Sequence, residues 1–321
     1  TSDHRPLLHS LLEPDEMAWS SPAVLAVSAE SFDVAPDASG DMHLAFMQPV
    51  HTNDSPAGVY YRRLEIGKTS WTTATPVELS RYFRSLSAEK AHLRLAVDQR
   101  NRVFIAWDQP YREQLMLAHS PDGGTTWQEP VARGDLGGTW QRGRLFAVPG
   151  GEPILVWELA GAPGPCGLVQ ALVSDVLDGT SSSGQPVLEG LTVCPEGERF
   201  LPMDEDMVLM VSGSGSEALT LAMWDGSIAA EPTAGKWSDP VHLGFSFEDP
   251  GLARQVYLDD LQIVLLPGHV DTDKGLAGQT ILAVGTDQQG DIWATSSGMG
   301  ALDLVFASPS PWSQPVEVTQ G

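Results

Sequence analysis

Short apolar runs alternate along this chain with clusters of Gly, Pro, Asp and Asn, and helical periodicity is missing throughout. Residues 93 to 131 show the pattern most plainly. Leu93-Arg-Leu-Ala-Val-Asp98 is followed by the turn Gln-Arg-Asn, then Val103-Phe-Ile-Ala-Trp107 and Leu115-Met-Leu-Ala-His119. A Gly-rich turn and a Pro130-Val131 strand complete four strands in about 40 residues. An earlier unit repeats the order with Phe32-Asp-Val-Ala-Pro-Asp37, Asp41-Met-His-Leu-Ala-Phe46 and Val59-Tyr-Tyr-Arg-Arg63. Later units pair Arg144-Leu-Phe-Ala-Val148 with Ile154-Leu-Val-Trp157, Arg199-Phe-Leu-Pro-Met203 with Met207-Val-Leu-Met-Val211, and Arg254-Gln-Val-Tyr-Leu258 with Leu261-Gln-Ile-Val-Leu265.

A second pattern marks the end of each unit. Trp19-Ser-Ser-Pro, Trp71-Thr-Thr-Ala-Thr-Pro, Trp127-Gln-Glu-Pro, Trp237-Ser-Asp-Pro and Trp312-Ser-Gln-Pro share one design, and Gln185-Pro186-Val187 is a copy without its Trp. Most neighbours lie about 50 to 60 residues apart, within the range of propeller blades. The expected fold is therefore an all-β, six-bladed β-propeller of four-stranded antiparallel blades, with five blades as the alternative. Residues 1–18 are read as an N-terminal extension and 19–321 as one propeller domain, closed by pairing of the Trp19 strand with the C-terminal end. The segment after residue 280 reads as a sixth blade, or as the end of the fifth plus part of a blade completed by the N-terminus.

The turn Ser120-Pro-Asp-Gly-Gly-Thr-Thr-Trp127 matches Ser-x-Asp-x-Gly-x-Thr-Trp at every defined position. The chain thereby resembles the sialidase-like Asp-box, or BNR-repeat, β-propellers, which include sialidases, other glycosidases and non-catalytic binding proteins. The resemblance places Ser120, Asp122, Gly124, Thr126 and Trp127 at the hairpin between the third and fourth strands of a blade, as a structural element away from any active site. Partial copies stand at Gly67 to Trp71, Trp224 to Gly226, Gly285 to Trp293 and Ser308 to Trp312.

Charge narrows the choice of partners. The 321 residues carry 18 Lys and Arg against 42 Asp and Glu, a net charge of −24. Such a surface repels nucleic acid, and no apolar run is long enough to span a membrane. The chain begins at Thr1 rather than Met, which suggests a processed or trimmed protein, and the two cysteines, Cys166 and Cys194, are too few for a disulfide scaffold. A secreted or cell-surface setting is expected, where those two thiols would either pair or stay separate, with a glycan or an extracellular protein as partner. No cofactor is expected. The one metal left open is a structural calcium, since Asp204 with Asp206 and Asp271 with Asp273 offer paired carboxylates without a full calcium loop.

The candidate chemistry is an arginine register. Arg144, Arg199 and Arg254 open the innermost strand of successive units at 55-residue spacing, with Arg94 in nearly the same place one unit earlier. Guanidinium forks converging on the funnel would suit a carboxylate. Spread evenly round a ring, they serve equally well as intersheet links. The resemblance also implies, for a sialidase, a Tyr nucleophile with a Glu partner, an Asp acid and an aromatic-Arg-Ile-Pro motif. Tyr257 with Glu248 and Asp249, and Asp54 or Asp108 in the loops after second strands, hold suitable positions only loosely. His4-Arg5-Pro6-Leu7 departs from the motif. A non-catalytic binding module is thus the first expectation, and an exo-glycosidase of sialidase type the alternative.

Overall fold

The computed structural model describes residues 6–13, 18–50, 56–87, 90–134, 143–147, 152–158, 168–179, 185–186, 196–204, 207–213, 218–225, 236–237, 241–244, 256–266, 280–287, 292–296 and 316–317. They form five antiparallel sheets built on four consecutive strands. Sheet I consists of Ser31–Pro36, Met42–Gln48, Gly58–Leu64 and Thr75–Leu79, in that order. Sheet II consists of Leu93–Val97, Val103–Gln109, Gln114–Ser120 and Val131–Arg133. Sheet III consists of Arg144–Phe146, Ile154–Glu158, Leu168–Leu172 and Gln185–Pro186. With the N-terminal strands they belong to one of two compact units, Thr1–Ala162 with Gly167–Val187.

The other unit, Pro163–Cys166 with Leu188–Gly321, holds the last two sheets. Glu196–Asp204, Met207–Gly213, Ala218–Asp225 and Lys236–Trp237 make sheet IV, with Val241–Gly244 also paired to the third of these strands. Sheet V runs Val256–Leu266, Thr280–Asp287, Ile292–Ser296 and Val316–Glu317.

Sheet V corrects two expectations. Residues 254 to 265 were expected as two strands broken at Asp259-Asp260, yet Val256–Leu266 is continuous, and its partner register slips between Tyr257 and Gln262. A bulge absorbs the polar pair without ending the strand. The supposed box at Gly285 to Trp293 is the hairpin between the second and third strands, where Gly285 pairs with Trp293 and Thr286 with Ile292. Any tight turn draws on the same Gly and Asp residues, so composition alone mimics the motif. Among the described residues, the segment after 280 therefore completes sheet V and builds no separate sheet. At the other end, Ala18–Trp19 pairs with Leu12–Glu13 and Ala23–Ala26 with Leu7–His9, so both N-terminal pairings are local.

Sheets I to III stack in series. Val103, Ile105 and Trp107 on the second strand of sheet II face Ala45, Met47, Val59 and Tyr61 of sheet I. Phe104 and Ala106, on the alternate positions, face Leu145, Leu155 and Trp157 of sheet III. All seven residues of Val103–Gln109 are buried, as a strand covered on both sides must be. Short helical turns join some of the strands, among them the 3-10 turns Arg81–Ser85 and Pro110–Arg112 and the α-turn Val173–Leu177. They were not visible in the sequence because three to five residues are too few to show a period.

The hairpins that open sheets I and II share one design. Asp37 accepts the N–H groups of Ser39 and Asp41 on Oδ1, at 2.8 and 2.9 Å, and Asp98 accepts those of Arg100 and Arg102, at 3.0 and 2.8 Å. The left-handed residue each turn needs is Gly40 in one and Asn101 in the other. The turn from Ser120 to Trp127 is more heavily bonded. Asp122 takes the Thr126 N–H at 2.8 Å and its hydroxyl at 2.7 Å, while the buried Ser120 hydroxyl donates to Asp122 Oδ1 at 2.9 Å and accepts from Gly124 N–H at 2.8 Å. These hydrogen bonds hold the Asp122 carboxyl below its usual value.

Gly124 lies at φ +88°, and a Cβ there would fall 2.1 Å from the Tyr61 ring of sheet I. Replacing Gly124 with Ala is expected to cost about 2–4 kcal/mol in a denaturant melt, from the backbone conformation and the clash together. Asp122→Ala is expected to lower the melting temperature by a few degrees and to leave ligand affinity unchanged, which a parallel binding titration checks.

Candidate functional site

The strands of sheets I to III have two ends. One carries the hairpins and the Ser120–Trp127 turn; the other is where the second strands finish, at Gln48, Gln109 and Glu158, and where the sequence places the arginines.

Strand register makes Arg94 and Arg144 equivalent. Arg94 pairs with Ala106, one residue before Trp107, and Arg144 pairs with Val156, one residue before Trp157. Sheet I has Asp33 there, paired with Ala45 one residue before Phe46. Asp33 Oδ2 crosses to sheet II and accepts the Leu95 N–H at 2.9 Å. The alternation of side chains points Arg94 toward sheet III, beside Ala106, and Arg144 to the far side of sheet III, away from Leu145 and Leu155. The two guanidinium groups therefore leave from faces of two different sheets and are not brought together. Arg94 is half-buried, with Nη1 donating to the Leu93 carbonyl at 2.8 Å; Arg144 is only 3% exposed.

Arg199 stands on the first strand of sheet IV opposite Val211, and Tyr257 opposite Thr286, with side chains outside the described residues. Arg254, Glu248, Asp249, Asp54, Cys166, Cys194, Asp206, Asp271 and Asp273 lie outside the described residues altogether. Asp108, expected in a loop, is the sixth residue of a strand and 1% exposed; its Oδ1 accepts the Gly143 N–H at 3.3 Å and so ties sheet II to the start of sheet III.

A cluster that the sequence did not single out occupies the same end between sheets I and II. Ser80 caps the first 3-10 turn, accepting the Tyr82 N–H at 3.2 Å, and buries Phe83 beneath it. Tyr82 stands over the second turn, where its hydroxyl accepts the Tyr111 N–H at 3.2 Å and the two rings meet at 6.2 Å. Tyr111 is 56% exposed, with Lys90 Nζ 4.6 Å from its ring centre, and Arg112 lies 5.1 Å from the Tyr82 ring. Arg112 also donates to Gln109 Oε1 at 3.1 Å. Both cations are thus held on aromatic faces, their charges in water.

Glu78 projects from the last strand of sheet I toward Gln109, whose Nε2 donates to it at 3.4 Å. Burial pushes its carboxyl up from the usual 4.5, opposed by Arg112, Gln109 and Trp107. Burial likewise raises the Tyr82 hydroxyl. Such groups are suited to proton transfer or to reading a polar ligand edge. Only repeat alignment would have hinted at this cluster, because its members come from two connections and the strand Thr75–Leu79, which lie apart along the chain. Among the described residues there is no group of three or more His, Cys, Asp or Glu that would hold a metal ion, and no helix long and apolar enough to cross a membrane.

No protein-family model and no curated protein matches this chain. Solved structures do. The chain is similar to the Hadza microbial sialidase Hz136, at 12% identity and a TM-score of 0.52, over 90% of this chain and 58% of that one. It also aligns with the intramolecular trans-sialidase of Ruminococcus gnavus, solved with oseltamivir carboxylate, at 11% identity, 89% and 84% coverage and a TM-score of 0.47. The leech intramolecular trans-sialidase aligns at 9% identity, 89% and 60% coverage and a TM-score of 0.48. The chain has a sialidase-like β-propeller fold, and it spans 58% of the length of Hz136.

A raised carboxyl such as Glu78 supports folding fully below its ordinary value and loses that support as pH rises through its folded value. Relative to Glu78→Gln, the wild-type chain is expected to lose stability as pH rises from 4.5 toward neutrality, measured by denaturant unfolding across that range.

Proposed function

We propose that this sialidase-like β-propeller is a non-catalytic extracellular binding module, which takes a glycan or a protein partner at the end of sheets I and II where Tyr111 is exposed. The observation that carries this reading is the local charge. Four cations gather on one short stretch of the surface of a chain whose net charge is −24. Arg81, Arg84, Lys90 and Arg112 stand on or beside the two 3-10 turns. Arg81 and Arg84 are three apart on a 3-10 turn and share a face, both exposed. An exposed ring flanked by fixed cations offers a stacking surface and an anion contact, which suits a sugar with a negative group or an acidic protein segment. A long polyanion would overrun the patch and meet the acidic surroundings.

The six-bladed ring remains part of this proposal. It is supported by the N-terminal pair, whose Leu7, Leu25 and Ala26 pack on Leu44, Phe46 and Tyr60 on the face of sheet I opposite sheet II, as the beginning of a further blade would. The Ser120–Trp127 turn is assigned a structural role.

A second reading, a retaining exo-glycosidase with a Tyr nucleophile, is favoured by one observation: a carboxyl, Glu78, and a phenol, Tyr82, stand at the same end of the sheets, both beside Arg112. The two readings part in one experiment. A glycan array and a fluorogenic sialoside are tested with the wild-type chain, Tyr111→Ala, Arg112→Glu and Glu78→Gln. The binding module is expected to show no turnover and to lose about tenfold in affinity or more in the Tyr111 and Arg112 variants, with a loss that grows at low salt. Turnover abolished by Glu78→Gln would replace it with the glycosidase.

A further inference from the structure

At the hairpin end of sheet I lies a buried chain of three polar side chains that the binding surface does not use. His43 is fully buried, and its Nε2 stands 3.2 Å from Asp37 Oδ2. Its Nδ1 stands 2.6 Å from the Tyr61 hydroxyl, and that hydroxyl is also 3.0 Å from the Gly123 carbonyl in the Ser120–Trp127 turn of sheet II. Tyr61 is the seat of this turn, with its ring against Gly124 and 5.2 Å from Trp127.

Proton counting leaves two arrangements. Asp37 is a carboxylate: burial would raise it, but hydrogen bonds from Ser39, His43 and the Asp41 and Ser39 backbone bring it below its usual value. It can only accept, so His43 Nε2 carries a proton. With a neutral imidazole, Nδ1 is an acceptor and takes the single Tyr61 proton. The Gly123 carbonyl, 3.0 Å away, then receives none from Tyr61. With an imidazolium, Nδ1–H donates to the Tyr61 oxygen, and the Tyr61 proton is free to turn to Gly123.

We infer that His43 is a proton-operated latch between sheets I and II: on taking up a proton it reverses its hydrogen bond with Tyr61 and hands the Tyr61 hydroxyl to the Gly123 carbonyl. The step moves one proton from solvent to Nδ1 and rotates one hydroxyl; no bond between heavy atoms changes. The charged groups around His43 are Asp37 and Asp41 on its own hairpin and Arg63 on the third strand, where Arg63 Nε donates to Asp41 at 2.9 Å. From sheet II the group presented to Tyr61 is the neutral Gly123 backbone, since Asp122 of that turn is engaged by Thr126 and Ser120. Burial lowers the imidazole below 6.5, Asp37 and Asp41 oppose it, and Arg63 adds to it, so the latch closes in acid. The sign for the whole fold is opposite. The unfolded chain takes up the proton first, so His43 costs stability as pH falls through 6.5 even while the local bond forms.

The test is carbonyl-carbon and imidazole-nitrogen NMR of the intact chain across an acid titration. At neutral pH His43 is expected as the Nε2–H tautomer with Nδ1 unprotonated. On acidification, Nδ1 protonates and the Gly123 carbonyl carbon moves downfield with the same midpoint. Tyr61→Phe keeps the ring on Gly124 and is expected to abolish the Gly123 response while His43 still titrates. An Nδ1–H tautomer at neutral pH, or a Gly123 carbon that ignores His43, overturns the latch. Both are read in the wild-type chain, so the outcome stands even if Tyr61→Phe folds poorly.

Discussion

Trp107 fills the space between sheets I and II with 1% of its surface exposed, on a strand whose seven residues are all buried. Truncating such a ring to Ala ordinarily costs about 3–5 kcal/mol, because the cavity cannot collapse. The rest of unit one follows from that burial. A sheet that is apolar on both faces cannot stand alone in water, so sheet II needs a sheet on either side, and it has them in sheets I and III. Charge is then confined to strand ends, hairpins and outer strands, where a net charge of −24 leaves the core unaffected.

Within those limits, carboxylates serve as ties for the backbone. Asp33 bonds to Leu95 of the next sheet, Asp108 to Gly143, and Asp37, Asp98 and Asp122 each close a turn. Each takes N–H donors at a turn, a strand end or a sheet edge. The cations are used differently. Lys90 rests on the face of Tyr111 and Arg112 on that of Tyr82, so each charge is set against a ring and not against a backbone N–H.

The sheets were legible in the sequence wherever apolar runs and turn residues alternated cleanly, as from Leu93 to Arg133 and from Ser31 to Leu79. The pattern misled at Asp259-Asp260, where a bulge carries a polar pair through a strand, and at Gly285 to Trp293, where an ordinary hairpin has the composition of a motif. The repeat found the arginine register, and pairing with Ala106 and Val156 makes Arg94 and Arg144 equivalent. Direction was not legible, because it depends on which face of each sheet the neighbours cover. The Tyr82, Tyr111 and Glu78 cluster and the His43, Tyr61 and Gly123 chain escaped for a related reason. Their members are separated along the sequence, as by the 62 positions between Tyr61 and Gly123, and no spacing rule connects them.

Asp33, Arg94 and Arg144 hold the same position in three sheets of the same design. Stacked elements of nearly equal shape are prone to assemble in the wrong order or to exchange between molecules during folding. A carboxylate on sheet I and guanidinium groups on sheets II and III give otherwise similar surfaces unequal chemistry. Sheet I placed where sheet II belongs would present an anion in place of a cation. Copies of one unit have in this way diverged at a shared position, where one residue on the first strand sets sheet I apart from sheets II and III.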